Sequence, residues 1–405
     1  MHADVVVVGA GPAGCAAAVH LGRQGCRVLL IERARRPQPK TCGDSLLPDA
    51  LRALDDLGVG DQVRGAGRCL GSLEVTAPGG RTVRLAVPSV TLQRQRLHAL
   101  LQDEAVRCGV QLISGEAVAP LLDGETVIGV NVRSERQPLF SIHAPLVILA
   151  SGSRSGTLRD FGVCLQAEPS AVGIRAYFRN LSGEAADALH ISYDRQMFPG
   201  YGWVFPLPDG LYNIGCGLFL HGADPSQTDL NRLFDYFLRS FPPARAVASL
   251  EDMVGVPCSG LLRTGLAGAR SSRAGLLVAG EALGTTLPFT GEGVGKALET
   301  GLLAGQIAGE ALRSGDFSGA FLARYGLTVE QRYRAAFQGY RRAQKWLNMP
   351  GLPDLLAWQV ARKPLLREAA EMMLTGSLPP ASIFSLSGLL GRPARSTPKQ
   401  GELTA

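Results

Sequence analysis

Lysine is missing from the middle of this 405-residue chain: none occurs between Lys40 and Lys296. Chemistry that needs an ε-amino group from that segment is excluded. The eight cysteines are dispersed, with no CxxC pair and no Cys/His cluster at zinc spacing. That pattern excludes a disulfide scaffold and a structural zinc site, so no metal is expected and the chain reads as a reduced, cytoplasmic protein. No apolar run reaches the roughly 18–20 residues of a spanning helix, which leaves a membrane-peripheral location as the only membrane association. The first apolar stretch lacks a basic leader, carries Asp4 and breaks at Gly9, unlike a secretion signal. Basic residues are scattered without interleaved aromatics, so no nucleic-acid face is expected. Internal repeats are absent.

Glycine, in contrast, is plentiful at 50 residues without a collagen-like period. Many tight turns and close backbone approaches to a ligand are implied. The net charge of +6 leaves room for an anionic partner: a dinucleotide, an acidic carrier protein or a membrane surface.

Residues 4–8 form a continuous β-branched run, the mark of a strand buried on both faces. A helix is expected from Ala13 to Gln24, then a second buried strand from Arg27 to Glu32. Further helices are expected at 46–57 and 92–108. A hairpin through Pro78-Gly79-Gly80 joins 73–75 to 82–85. Strands are expected at 110–113, 116–121, 127–134, 139–143 and 146–150. From 166 to 264 short strands (172–179, 188–193, 202–206, 212–219) alternate with Gly and Pro turns, interrupted by a helix at 226–240. A buried strand at 276–278 leads through a glycine-rich loop into a long helix from Gly293. Residues 317–377 read as mostly helical.

The first turn has a definite chemistry. Gly9-x-Gly11-x-x-Gly14 follows a strand, opens a helix with Pro12 and Ala13, and is followed by Glu32 at the end of the next strand. Gly9 makes the tight turn, Gly11 admits a pyrophosphate, and Gly14 lets helix and strand pack. The helix N-terminus offers free N–H donors to phosphate, and Glu32 accepts ribose hydroxyls. A second strand–loop–helix follows at Leu277-Val278-Ala279-Gly280-Glu281-Ala282-Leu283-Gly284 and Pro288-Phe289-Thr290-Gly291-Glu292-Gly293-Val294. Its helix N-terminus suits negative charge at a flavin N1–C2=O edge, so the pair of loops points to FAD and not to a simple nicotinamide dehydrogenase.

Residues 3–345 resemble the glutathione-reductase-type flavoproteins, in the branch that holds para-hydroxybenzoate-hydroxylase-like monooxygenases, flavin halogenases and geranylgeranyl reductases. The geranylgeranyl reductases are the most similar of these. Lys40-Thr41-Cys42-Gly43-Asp44 resembles their Lys-x-Cys-Gly segment, Tyr201-Gly202-Trp203-Val204-Phe205-Pro206 their Tyr-x-Trp-x-Phe-Pro motif, and Pro288–Gly293 their Pro-x-Thr-Gly-Glu-Gly loop. The resemblance implies an α/β protein with a discontinuous Rossmann-type FAD-binding domain (1–75, 90–165, 265–316). It also implies an antiparallel-sheet substrate domain (76–89, 166–264), a C-terminal helical region (317–392) and a disordered tail from 393. It implies cofactor contacts from Gly9, Gly11, Pro12, Ala13, Gly14, Glu32, Arg33, Cys42, Gly43, Arg94, Val118, Ser151, Gly152, Gly280, Glu281, Pro288, Gly291, Gly293 and Val294. Tyr201, Trp203 and Phe205 alternate at strand period and form an aromatic wall for an apolar substrate, and Cys42 and Tyr201 are the candidate catalytic side chains.

The implied reaction is hydride transfer from reduced flavin N5 to a C=C bond of an apolar small molecule, with a carrier protein and a membrane as the alternative means of its delivery. The alternatives are a monooxygenase acting through a flavin C4a-hydroperoxide, a halogenase, and a non-catalytic prenyl-binding protein. The missing lysine argues against the halogenase, and the intact phosphate turn against the last. Ser151-Gly152 stands where hydroxylases carry Asp-Gly, so the electron donor is either NAD(P)H bound in another way or a separate reductase. Glu292 and Lys296, one helical turn apart, are expected to pair. His20, His98, His143, His190 and His221 read as structural, and Asp224, Asp229 and Asp235 as surface or cap residues. A basic face on the C-terminal helices (Arg332, Arg334, Arg341, Arg342, Lys345) reads as solvated.

Overall fold

A computed structural model describes residues 1–34, 40–135, 138–180, 187–220, 229–248 and 251–389. His221, Asp224 and the tail from 393 lie outside the described residues. Val5–Val8 is buried on both faces, as its β-branched run requires, and pairs in parallel with Leu146–Leu149 on one side and Val28–Glu32 on the other. Gln111–Ser114 and Leu276–Val278 extend this parallel sheet, and the short Ser272–Arg273 strand closes one edge antiparallel. The Pro12–Arg23 and Val294–Ser314 helices cross each other, and Leu298, Ala304 and Ala308 of the latter are fully buried.

A second, eight-stranded sheet runs in the order Met253–Leu262, Ala171–Arg179, Leu211–Phe219, Gly200–Pro206, Ala188–Ser192, Arg68–Thr76, Thr82–Thr91, Ser45–Leu46. It is antiparallel except where Ala188–Ser192 runs parallel to Arg68–Thr76. One face is covered by the Leu230–Ser240 helix, whose Phe234 and Phe237 pack with Ile174, Phe178, Val204 and Ile214 in a core of its own. Asp229 caps that helix by accepting from the Arg232 N–H at 3.0 Å. A three-stranded antiparallel sheet (Glu116–Asp123, Thr126–Arg133, Phe140–His143) lies beside the parallel one.

One boundary changes, and several elements were not read, the Ser155–Asp160 and Pro242–Val247 helices among them. The helix read at 46–57 starts at Pro48, because Ser45-Leu46 pairs with Thr91-Val90 as a strand. A helix at Gly60–Ala66 and the edge strand Met253–Leu262 were not read. Among the described residues no helix is long and apolar enough to cross a membrane.

Candidate active site

Gly9 turns the chain at φ +100, and a Cβ there would meet the Ala150 carbonyl oxygen at 2.4 Å. Gly14 presses on the turn itself: its Cβ would lie 1.8 Å from the Gly9 oxygen. Only hydrogen fits at both positions, so the Pro12–Arg23 helix begins hard against the strand end with its first N–H groups directed outward. The Glu32 carboxylate accepts from the Ala10 N–H at 2.9 Å and the Ala34 N–H at 3.2 Å, which fixes it beside the turn.

The second loop docks onto the same helix. Gly301, on the Val294–Ser314 helix, lies so close that a Cβ would stand 2.1 Å from the Ala13 carbonyl oxygen. Both phosphate-type helix starts are thereby held against one cavity of about 460 Å³. Of the expected residues, the cavity wall contains Gly9, Gly11, Pro12, Ala13, Glu32, Arg33, Cys42, Gly43, Arg94, Ser151, Gly152, Glu281, Gly291, Gly293, Val294, Tyr201, Trp203 and Phe205. Gly14, Gly280 and Pro288 are not in the wall, and Gly14 and Gly280 are packed too closely on their neighbours to carry a side chain. Val118 lies apart, in a neighbouring cavity that it shares with Arg33 and Lys40. Lys40 donates to Glu281 at 2.6 Å, bridging the Cys42 segment to the second loop. Three buried oxygens of wall residues, Ser45 Oγ, Ser151 Oγ and Glu292 Oε1, have no hydrogen-bond partner within the protein. Glycine turns, outward N–H groups and unpartnered serine hydroxyls in one cavity fit a long dinucleotide such as FAD.

The Cys42 segment is held through its own Asp44 and through Arg94, both read in the sequence, and through Tyr177 and Asn213, which the sequence reading passed over. Asp44, at φ +63 and 2% exposed, accepts from Tyr177 Oη (2.6 Å), Asn213 Nδ2 (2.8 Å) and the Arg94 N–H (2.9 Å). Burial pushes its carboxyl up, against the pull of these donors and of Arg175. Asn213, fully buried, also donates to the Cys42 carbonyl at 2.7 Å and accepts from Trp203 Nε1 at 2.9 Å. Burial, then Asp44, pushes the Cys42 thiol up, so it keeps its proton at neutral pH. His98, read as structural, stands in the wall and accepts from Arg94 Nε at 2.8 Å. Burial and Arg94 hold it well below the usual histidine range, as the neutral acceptor this bond needs.

Tyr201, Trp203 and Phe205 share the cavity face of their strand, with ring centroids 6.0 and 6.4 Å apart, while Val204 faces the other core. Gly215 lies beneath Trp203, whose ring would stand 2.3 Å from a Cβ there. The Tyr201 hydroxyl donates to the Thr290 carbonyl, tying the aromatic wall to the second loop. Lys296 pairs with Asp49 (2.9 Å) and Glu299 (3.1 Å), not with Glu292 as expected, because Asp49 lies against the first turn of its helix.

Residues 2–196 match the family model described as an FAD binding domain. A digeranylgeranylglycerophospholipid reductase of Methanopyrus kandleri is 31% identical over 376 residues, 91% of this chain and 92% of the relative. A menaquinone reductase of Mycobacterium tuberculosis is 32% identical over 376 residues, 86% of this chain and 85% of the relative. The fold is shared with a geranylgeranyl bacteriochlorophyll reductase-like protein of Thermoplasma acidophilum, at TM-score 0.78 and 20% identity over 96% of this chain and 95% of that one. By this likeness the chain belongs to the geranylgeranyl-reductase family of FAD-dependent oxidoreductases.

Proposed function

We propose that this enzyme saturates a C=C bond in an isoprenoid-type lipid, the class named by the relatives that reduce digeranylgeranylglycerophospholipid and menaquinone. The observation that carries the reading is the apolar aromatic wall in the same cavity as both glycine loops. In this reading Gly9, Gly11, Pro12, Ala13 and Gly14 hold the pyrophosphate, and Glu32, Arg33 and Val118 the adenosine end. Arg94, Ser151, Gly152, Gly280 and Glu281 hold the ribityl chain. Cys42, Gly43, Pro288, Gly291, Gly293 and Val294 frame the ring. Bound and reduced, FAD supplies hydride at N5; its electrons come from NAD(P)H or a separate reductase. The chain's own residues orient the alkene against Tyr201, Trp203 and Phe205 and exclude water from it. Cys42, holding its proton, delivers that proton to the second alkene carbon. Tyr201 acts by position, since its hydroxyl hydrogen is committed to Thr290.

The test is anaerobic turnover of an isoprenoid alkene with chemically reduced enzyme, followed by mass spectrometry. A product heavier by two hydrogens is expected. Product formation that requires dioxygen would overturn the reading in favour of oxygenation. Cys42→Ala is expected to retain flavin and slow the first turnover by roughly 10²-fold.

A further inference from the structure

Behind the cavity wall lies a chain of charged groups that the reaction above does not use. Glu292 lines the cavity, yet its Oε1 is buried without a partner. Its carboxyl lies against Asp49, from the Pro48–Asp56 helix. Asp49 accepts from Lys296 Nζ at 2.9 Å, and Lys296 donates to both oxygens of Glu299 at 3.1 Å. Tyr333 donates to Glu299 at 2.7 Å. Side-chain exposure rises from 8% at Asp49 and 15% at Lys296 to 23% at Glu299, so the chain leads from the cavity toward solvent. It holds three carboxyls and one amine. An ionised Glu292 would place a buried negative charge with an unpartnered oxygen beside a second one, an arrangement of high desolvation cost. One proton in the chain removes that cost, and Glu292 is where it resides. Asp49 has Lys296 and the N–H of Ala50 to hold its charge, and Glu299 has Lys296 and Tyr333.

We propose that Glu292 is the proton store of the site, refilled from solvent through Asp49, Lys296 and Glu299, and that it reprotonates Cys42 between turnovers. The inference rests on the alkene-reductase reading. In each turnover the S–H bond of Cys42 breaks as a C–H bond forms at one alkene carbon, while the reduced FAD's hydride goes to the other. The Glu292 O–H bond then breaks and the S–H bond re-forms. A solvent proton finally restores Glu292. The groups facing Glu292 agree with this. From the helices, Asp49 raises it further after burial and Lys296 opposes. From the Gly200–Pro206 strand and the Gly319–Leu347 helix, the phenols of Tyr201 and Tyr340 face it, both held protonated first of all by burial. Tyr201 lines the same cavity as Glu292 and Cys42, the two ends of the transfer.

Two measurements on the full-length protein test this. Infrared spectra of flavin-free and flavin-loaded protein at neutral pH are expected to contain a protonated-carboxyl band that disappears in Glu292→Gln. Its presence unchanged in that variant would overturn the store. Rapid-mixing kinetics are expected to show Glu292→Gln completing its first turnover at the wild-type rate and then slowing by roughly 10²-fold. Glu292→Asp should restore most of the later rate. A steady state equal to wild type overturns the refilling role, as does an equally slowed first turnover, which would make Glu292 itself the donor. If wild type reduces no alkene, the reductase reading fails, while the infrared band still decides whether the store exists.

Discussion

Asn213 concentrates more of the site's geometry than any residue the sequence singles out. It ties the indole of the neighbouring strand to a backbone carbonyl and a carboxylate of the Cys42 segment, with no solvent to substitute for a lost bond. Asn213→Ala is expected to cost about 2–4 kcal/mol in urea unfolding, since two buried partners lose their mate. It should also shift the spectrum of the bound flavin as the Cys42 segment loosens. A spectrum and stability equal to wild type would refute the assignment. Glu292 makes a pH-dependent contribution of definite sign. Its carboxyl is raised in the fold, so its favourable contribution is complete below about pH 4.5 and is lost as pH rises through the folded value. Glu292→Gln is therefore expected to gain stability relative to wild type as pH is raised, which melts at several pH values will check. At this scale the sequence is legible where a motif is local. Cys42, Tyr201 and Gly9 stand in short recognisable strings, and the structure brings them to one cavity. Asn213 sits 171 residues from the carbonyl it holds, in an ordinary strand, and only the sheet register reveals it.

The crossing of the Pro12–Arg23 and Val294–Ser314 helices decides whether the two glycine loops face each other. Gly301, Gly305 and Gly309 recur once per turn along it, with Cβ positions that would meet Ala13, Ala17 and Gln24. Gly301→Val is expected to destabilise by about 1–3 kcal/mol through overpacking and to release flavin, seen as loss of yellow colour on gel filtration. Gly65→Ala, with nothing within 4 Å, should leave both unchanged. Flavin retention in the first variant would show that the crossing does not set the site. Most elements were legible because period and punctuation agree: four valines before a glycine leave few alternatives. Met253–Leu262 was not, for a physical reason. It is an edge strand with Pro257 and several exposed residues, which remove the alternation and the unbroken backbone donors that mark a strand.

At the scale of the molecule, the described residues form two cores, one on each side of the eight-stranded sheet. Phe237 anchors the smaller, lying against Gly202 directly behind the aromatic strand. Phe237→Ala is expected to cost about 3–5 kcal/mol. Because the smaller core is separate from the parallel sheet, flavin content should survive while substrate-dependent oxidation of reduced enzyme weakens, and joint loss of both would contradict that separation. The outline of the α/β architecture was readable from the alternation of buried runs with glycine loops. The parallel pairing of Ala188–Ser192 with Arg68–Thr76 was not, because it joins segments more than a hundred residues apart with no local signal. The crossing at Gly301 has a last consequence, in time and not in space. On the ribosome the turn at Gly9–Gly14 emerges well before the Val294–Ser314 helix that completes it. The nascent chain must carry its phosphate turn open until residue 314 is made, so a product truncated before Leu276 should come out colourless however well its first strands have formed.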